Sequence, residues 1–424
     1  MIRLIEALNF RCLRYTRQPL KDFQVLIGPN ASGKTTFLDV VAFLGDLLAK
    51  GLDEAIFQRT STVHDLFFFH EGDRFQLAVE LEIPRDRTKM LATEQCYRYI
   101  RYEVSIGIEE ERNDIQIFDE QVILLQEITG YKEKIQRKIF PLFVERPNSI
   151  MHGRQVGGTK KRVVRKVYDG NDNFYSEVQQ KKGKGGWAPS IRLGPKKSAL
   201  ANMPEDEKNF PVSTWLRETL VNGTQNLMLN SLVLRQTSPP GQGRLFKPDG
   251  SNLPWVVQQL RKSDDNRYRQ WIAQLQTALP DLEEVVTVEL PDTRHRYLQL
   301  VYRGQLKIPS WMASDGTLRM LALTLPAFLP DFEGIYLIEE PENGIHPMAM
   351  ETVYQSLREV YGAQILLATH SPVVLGCAKA GDILCFKKTE NGATDIVAGP
   401  DHPALRQWQG ALTLSDLYAS GVLG

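Results

Sequence analysis

Nine residues near the N-terminus constrain the fold more than any other stretch: Gly-Pro-Asn-Ala-Ser-Gly-Lys-Thr-Thr at positions 28–36. They follow a short apolar run at 23–27 and precede a segment, 37–44, whose apolar residues recur at helical spacing. The pattern G-x-x-x-x-G-K-[ST] between a strand and a helix is typical of a phosphate-binding loop. The sequence therefore predicts a nucleoside triphosphate site here, in preference to an ordinary glycine turn.

The residue types in this loop suit that chemistry. Glycines let backbone N–H groups curl around phosphate oxygens, and the N-terminus of the following helix favours negative charge. Lys34 is expected to reach the β- and γ-phosphates, and the Thr35 hydroxyl is expected to ligate Mg²⁺. The loop residues expected to bind the nucleotide are Gly28, Asn30, Ser32, Gly33, Lys34, Thr35 and Thr36.

Two more apolar runs end in polar groups. Glu339 and Glu340 follow the run 335–338, and the carboxyl end of a parallel strand lies at the nucleotide edge of a sheet. We expect Glu339 to hold the metal and Glu340, one residue further out, to act as the base on the attacking water. His370 follows the run 364–368 and is expected to sense the γ-phosphate. A solvated acidic turn and a hydrogen-bonding strand-end histidine are the alternatives.

A weaker signal precedes the apolar segment 320–325. Ser314 is a good helix N-cap, and Gly316 permits close approach of another group. A helix N-terminus of this kind suits an anion, but plain capping is the better explanation of an isolated S-x-G.

Composition describes a globular protein without a membrane segment. The chain has 424 residues, 42% of them hydrophobic, with a mean hydropathy of −0.29. No apolar run approaches the roughly 18 residues that a membrane helix needs, and the N-terminus lacks the anatomy of a signal peptide. The four cysteines are scattered without a C-x-x-C pair, which is typical of reduced thiols. We therefore expect a cytoplasmic protein.

The patterns divide the chain into four parts. Residues 1–74 carry the phosphate loop, with a turn predicted at 15–20, and residues 301–385 carry the two later strands. Between them, 75–300 reads as an insertion: alternating strands from 75 to about 125, then a helical part at 200–285. No segment sustains three heptads, so a long coiled-coil arm is not expected. The tail, 386–424, is predicted to form two short helices.

Within the insertion, the basic segment 152–198 carries twelve Lys and Arg against three acidic residues, a local balance of +9. Because the whole chain has a net charge of zero, the remainder carries −9. Residues 162–168 and 173–178 alternate like a hairpin, and aromatic residues are interleaved with the charge. The segment is expected either to contact DNA through its phosphates or to be a solvated basic loop.

These motifs, taken in order, resemble the ABC-type ATPase heads of the SMC/RecF/OLD group, in particular the AAA-type ATPases of bacterial phage-defence operons. The loop at 28–35 resembles their Walker A motif, 314–317 their signature motif and 335–340 their Walker B strand; 342–347 resembles the D-loop and 369–371 the switch histidine. The resemblance covers about 120 residues, 1–50 and 305–375. It implies an α/β fold: a P-loop NTPase head with an antiparallel β lobe and a helical insertion between the Walker A and signature motifs.

The resemblance also implies a mechanism. ATP and Mg²⁺ would be the cofactors, and two protomers would sandwich two nucleotides, so Ser314 and Gly316 would face the nucleotide of the partner chain. Two residues depart from the family pattern: Ala31 replaces a loop glycine, and Glu339 stands where transporters carry Asp. No convincing Q-loop is found, and Gln58 is the only nearby candidate for it.

Several functions remain open at this point. The first is an ATP-switched homodimer in anti-phage defence that licenses a separate effector, such as a nuclease. The alternative is a RecF-like ATPase of DNA repair or chromosome maintenance. A transporter ATPase is a weaker option because of the long insertion, and no further carboxylate cluster indicates a self-contained nuclease.

Overall fold

The structure is a computed structural model that describes most of the chain. The described residues are 1–91, 96–109, 111, 114–129, 137–153, 157–178, 189–243, 245–329, 332–406 and 413–423. Their strands are β1 Ile2–Phe10, β2 Leu13–Pro19, β3 Phe23–Ile27, β4 Arg74–Glu82, β5 Tyr99–Glu109, β6 Asp114–Leu125, β7 Lys160–Val167, β8 Asp172–Phe174, β9 Ser190–Ile191, β10 Thr224–Leu227, β11 Leu282–Glu289, β12 Arg296–Tyr302, β13 Leu306–Pro309, β14 Ile335–Glu339, β15 Gln364–Ala368, β16 Ile383–Lys388 and β17 Thr394–Ala398.

The helices are mostly short. They are α1 Lys34–Lys50, α2 Leu52–Phe57, α3 Arg85–Thr88, α4 Pro211–Val221, α5 Ser231–Arg235, α6 Leu253–Ser263, α7 Asp265–Gln276, α8 Asp315–Thr324, α9 Pro347–Arg358, α10 Pro372–Cys377, α11 Pro403–Arg406 and α12 Leu414–Ala419. The longest in the described part of the chain, α1, has 17 residues. None of the helices described there is both long and apolar enough to cross a membrane.

A mainly parallel sheet carries the loops of interest. Its strand order is β10-β14-β15-β3-β16-β17, and only β17 runs antiparallel to its neighbour. The strands β3, β14 and β15 are adjacent and parallel, so their carboxyl ends lie at one edge. The phosphate loop, the paired glutamates and His370 each lie at the carboxyl end of one of these three strands. The expectation that they meet at a single sheet edge is thus confirmed.

An antiparallel sheet forms a second layer, in the order β2-β1-β4-β5-β6-β7-β8-β9. Its strands come from both sides of residue 74, because β1 pairs with both β2 and β4. The predicted strands between 75 and 125 are present as β4, β5 and β6, and the predicted hairpin is present as β7 and β8. A smaller antiparallel sheet, β11-β12-β13, follows the helices α6 and α7.

Alternating side chains of the parallel strands divide the core in two. On β14, Leu337 faces one core with α1, α4 and the antiparallel sheet, whereas Tyr336 faces another with α6 to α10. The same alternation places Leu26 of β3 in the first core and Val25 in the second. Because both faces are covered, these strands read as continuous apolar runs in the sequence.

The turn predicted at 15–20 is wrong. Residues 13–19 form β2, which pairs antiparallel with β1 from Leu4↔Pro19 to Phe10↔Leu13, and the chain reverses earlier, around Arg11. Pro19 suggested a turn, but proline is tolerated in an edge strand, and β2 is the edge of this sheet. Arg11 adopts a φ of 50°, a conformation that the sequence does not signal.

Candidate nucleotide-binding site

The phosphate loop is shaped by glycines that no other residue could replace. At Gly28 a Cβ would lie 2.2 Å from the carbonyl oxygen of Phe386, and at Gly33, with φ of 104°, it would lie 2.4 Å from the Thr394 hydroxyl. Both neighbours belong to the β16–β17 hairpin, which packs directly under the loop. Ala31 adopts a φ of 59°, so alanine here occupies a conformation that favours glycine.

Lys34 is buried at the base of this loop. Its Nζ donates hydrogen bonds to the carbonyl oxygens of Gly28 at 2.8 Å and of Pro29 at 3.0 Å. Burial lowers the pKa of Lys34 to about 8, although Glu340, Glu339 and Glu342 act in the opposite direction. The ammonium therefore sits among three carboxylates, with only carbonyl oxygens as direct partners in the described structure.

Thr35 joins the phosphate loop to β14. Its hydroxyl donates a hydrogen bond to Oε2 of Glu339, the last residue of that strand. Burial raises the pKa of Glu339, and the hydrogen bond from Thr35 opposes this shift. A hydroxyl and a carboxylate in contact are oxygen donors of the kind that Mg²⁺ prefers beside phosphates.

Glu340 is the first residue after β14 and has a left-handed backbone conformation. Its φ is 46°, and its N–H donates to the carbonyl oxygen of Ala368 at 2.8 Å. The carboxylate is exposed and accepts a hydrogen bond from the Asn343 side chain at 2.7 Å. Glu339 contacts Thr35 whereas Glu340 contacts Asn343, so the two adjacent carboxylates have different partners.

His370 is held from two sides. Its backbone N–H donates to Oε1 of Glu342 at 2.7 Å, and its ring Nδ1 lies 3.1 Å from the hydroxyl of Tyr418. Burial lowers the pKa of His370, and the charge of Lys34 lowers it further, while Glu340 and Glu342 raise it. Burial and the loop lysine therefore favour the neutral form of the imidazole.

Ser314 has the capping role that the sequence predicts. Its hydroxyl accepts a hydrogen bond from the N–H of Thr317 at 3.2 Å at the start of α8, and its side chain is exposed. Gly316 allows close approach of the chain, because a Cβ there would lie 2.3 Å from the carbonyl oxygen of Gly344. The signature segment thus packs on the loop that follows β14, and Ser314 makes no described hydrogen bond to the phosphate loop.

Gln58 does not fit the Q-loop role. Its side chain accepts from Lys50 Nζ and donates to Glu54, both at 3.0 Å. Lys50 is the last residue of α1, and Thr35 lies in its first turn. At 1.5 Å per residue, these two ends are roughly 20 Å apart. The side chain of Gln58 is therefore remote from the expected metal site.

The basic segment is partly neutralised where it is described. Lys166 is buried and paired with Asp172 at 2.9 Å, and Lys196 is paired with Asp114 at 2.8 Å. Lys161 donates to the carbonyl oxygen of Glu177. Arg154, Lys181, Lys182, Lys184 and Trp187 lie outside the described residues. Charge counting alone could not reveal these internal pairings.

Sequence reasoning missed four residues that shape the site. The Thr394 hydroxyl donates a hydrogen bond to the Ser32 carbonyl oxygen at 2.9 Å. Asn343 contacts the carboxylate of Glu340, and Glu342 and Tyr418 contact His370. Asn343 and Glu342 lie within the segment resembling a D-loop, so proximity to Glu340 was the available signal. Thr394 and Tyr418 come from a distant hairpin and the tail, where no motif marks them.

The loop and its neighbours fit a nucleotide with Mg²⁺. The hydroxyl of Ser32 is buried and has no hydrogen-bond partner among the described residues, which suits a phosphate oxygen. The two glycines leave a cradle that a Cβ would fill, and Thr35 with Glu339 offers the oxygen ligands.

Two family models match overlapping parts of the chain. Residues 1–182 match the family described as "AAA ATPase domain". Residues 174–376 match the family described as "AAA domain, putative AbiEii toxin, Type IV TA system". No curated protein matches the chain significantly.

Solved structures of SMC head domains are similar to this chain. An SmcHead bound to the C-winged helix domain of ScpA is 12% identical with a TM-score of 0.51, and the alignment covers 93% of this chain and 97% of that one. The SMC head domain from Thermotoga maritima is 10% identical, with a TM-score of 0.43 and coverages of 94% and 98%. An Smc head domain with an extended coiled coil, bound to the C-terminal domain of ScpA and derived from Pyrococcus furiosus, is 12% identical, with a TM-score of 0.45 and coverages of 99% and 98%.

At such identities the likeness concerns the fold alone, and the first of the three supports it. The phosphate loop, the ordered strands and the two AAA matches agree with that likeness. The chain therefore has a P-loop NTPase fold similar to that of an SMC head domain.

Proposed function

We propose that this chain binds ATP with Mg²⁺, hydrolyses ATP and uses the cycle as a switch. The hydrogen bond between Thr35 and Glu339 is the observation that carries the proposal, because it joins the Walker A and Walker B segments at the expected metal site. The matched AAA family models add support.

The residues divide the work of the reaction. Lys34 and the loop amides would bind the β- and γ-phosphates, and Thr35 with Glu339 would hold Mg²⁺, which neutralises charge between the phosphates when bound. Glu340, held by Asn343, would accept the proton of the attacking water. His370 would lie next to that reacting centre at the end of the neighbouring strand.

The proposed active form is a homodimer. The exposed Ser314, which makes no described hydrogen bond to its own phosphate loop, supports a role toward the nucleotide of a second copy. In this arrangement Ser314 and Gly316 of one protomer would close the site of the other, and hydrolysis would open it.

Light scattering tests the dimer. Glu340→Gln with ATP and Mg²⁺ should have twice the 48.2 kDa mass of the chain, whereas Glu340→Gln combined with Ser314→Arg should bind ATP as a monomer. Monomeric Glu340→Gln with ATP bound would contradict the sandwich. Hydrolysis is tested by phosphate release from the wild-type chain, with Lys34→Ala as the control that should release none.

We further propose that the switch acts in the cytoplasm, in anti-phage defence, through a separate effector such as a nuclease. The description of one matched family as an AbiEii-type toxin supports a toxic output. A pull-down with Glu340→Gln should capture the effector with ATP and not without it. Capture of gapped DNA with no protein partner would instead favour the RecF-like repair function.

A further inference from the structure

The C-terminal helix reaches the nucleotide-binding site. α12 begins with a capping box, in which Thr413 and Asp416 satisfy each other's backbone N–H groups. Leu414 and Leu417 are buried, and α12 packs against α10, which starts two residues after His370. The tail is therefore anchored to the helix that follows the histidine.

One hydroxyl of this helix bridges two parts of the site. The Tyr418 oxygen lies 3.2 Å from the carbonyl oxygen of Gly28 and 3.1 Å from Nδ1 of His370. The same carbonyl accepts a hydrogen bond from Lys34. Tyr418 thus connects the first glycine of the phosphate loop to the histidine after β15.

We propose that Tyr418 is a positioning residue that sets the tautomer of the His370 imidazole for ATP hydrolysis. The inference deepens the proposed function and rests on it. A carbonyl oxygen only accepts hydrogen bonds, so the Tyr418 hydroxyl donates a hydrogen bond to the carbonyl oxygen of Gly28. The phenol oxygen then accepts from Nδ1–H of His370, which leaves Nε2 without a proton.

This tautomer determines what His370 does. A neutral imidazole with a bare Nε2 can accept a hydrogen bond there but cannot donate one. An anionic γ-phosphate oxygen has no hydrogen to offer, whereas the attacking water has two. His370 would therefore orient the water that Glu340 deprotonates. Direct sensing of the γ-phosphate, the role expected from the sequence, needs a hydrogen-bond donor at Nε2 and would require the other tautomer.

The surrounding charges favour the neutral ring. Lys34 faces it from the phosphate loop, and burial acts in the same direction; Glu340 and Glu342 from the loop after β14 oppose them. On the side of α12 the ring contacts the phenol of Tyr418. Burial raises the pKa of this phenol, so it stays protonated. A neutral ring needs a partner to select its protonated nitrogen, and Tyr418 is that partner.

Nitrogen NMR of the full chain labelled with ¹⁵N-histidine tests the tautomer without nucleotide. The chain has seven histidines, and His370→Gln identifies the signal. The wild type should show a protonated Nδ1 at pH 7.5, and Tyr418→Phe should shift the ring to the Nε2–H form. The exposed Tyr361→Phe is the matched control. The same tautomer in the wild type and Tyr418→Phe overturns the inference.

Kinetics test the consequence. Tyr418→Phe should lower kcat by roughly tenfold with KM for ATP unchanged. The acid limb of the pH profile of kcat should move to lower pH in this variant. The reason is that the phenol oxygen, which accepts a hydrogen bond from the ring of His370, no longer stabilises the imidazolium. Leu417→Ala, which loosens α12 but keeps the phenol, should retain the wild-type limb; an equal shift would indicate mere docking and contradict the inference. If the wild type releases no phosphate, the proposed function fails, while the NMR result still decides the tautomer.

Discussion

The carboxylate of Glu342 accepts a hydrogen bond from the backbone N–H of His370 at 2.7 Å. The same oxygen accepts from the Thr369 hydroxyl at 2.8 Å, and the second oxygen is buried without a partner among the described residues. One carboxylate thus ties the loop that carries Glu340 to the strand end that carries His370. We expect this contact to couple the positions of the two segments.

Replacement of Glu342 should weaken both stability and hydrolysis. In Glu342→Ala the N–H of His370 and the hydroxyl of Thr369 lose their acceptor, which costs about 1–3 kcal/mol of unfolding free energy. Urea denaturation measures this loss, and phosphate release should fall in kcat more than in KM. The exposed Glu359→Ala should change neither. Equal behaviour of the two variants would contradict the proposed coupling.

Gly33→Ala should prevent formation of the phosphate loop. Both the φ of 104° and a Cβ 2.4 Å from the Thr394 hydroxyl oppose the substitution. Gly304 is a matched control, since its φ of 75° and ψ of 19° are also left-handed but nothing lies within 4 Å of its Cβ position. Gly304→Ala should therefore cost only the backbone term of about 1–2 kcal/mol, and Gly33→Ala more. Thermal unfolding and ATP titration compare them; equal losses would contradict the clash.

ATP affinity should fall as pH rises above about 8. Burial lowers the pKa of Lys34 to about 8, so the free chain loses this positive charge above that pH, whereas bound phosphates raise the pKa again. Binding then takes up a proton, and affinity drops by at most about tenfold per pH unit. Calorimetric titration from pH 7 to 10 measures the slope. Lys34→Ala should bind weakly with no such slope; an equally steep slope there would assign the effect to another group.

The role of the basic segment in DNA binding can be tested by charge reversal. Lys166 and Lys196 make internal ion pairs, so their replacement would disturb the fold. Reversal of Lys181, Lys182 and Lys184 to Glu should weaken DNA binding and reduce its salt slope by about one per residue. Reversal of the exposed Lys208, Lys247 and Lys262 gives the same change in net charge. If both triple variants bind DNA equally, the segment is not the contact.

Local patterns predicted much of the parallel core and the identity of its loops. The runs before Gly28, Glu339 and His370 are apolar throughout because both faces of their strands are covered, and polar residues then mark the strand ends. The turn predicted at 15–20 was wrong because an edge strand tolerates Pro19. The Q-loop interpretation of Gln58 does not fit because the side chain contacts Lys50 at the C-terminal end of α1, which its position in the sequence does not reveal.

The sequence by itself determined the phosphate loop, the paired glutamates and the strand-end histidine, since each depends on a few adjacent residues. Only the tertiary structure decided that Thr35 contacts Glu339 and that Thr394 packs against Gly33. It also decided that the hydroxyl of Tyr418 contacts both His370 and Gly28. These contacts link residues tens to hundreds of positions apart. No local periodicity encodes them, because they arise from the packing of strands and helices whose order along the chain differs from their order in space.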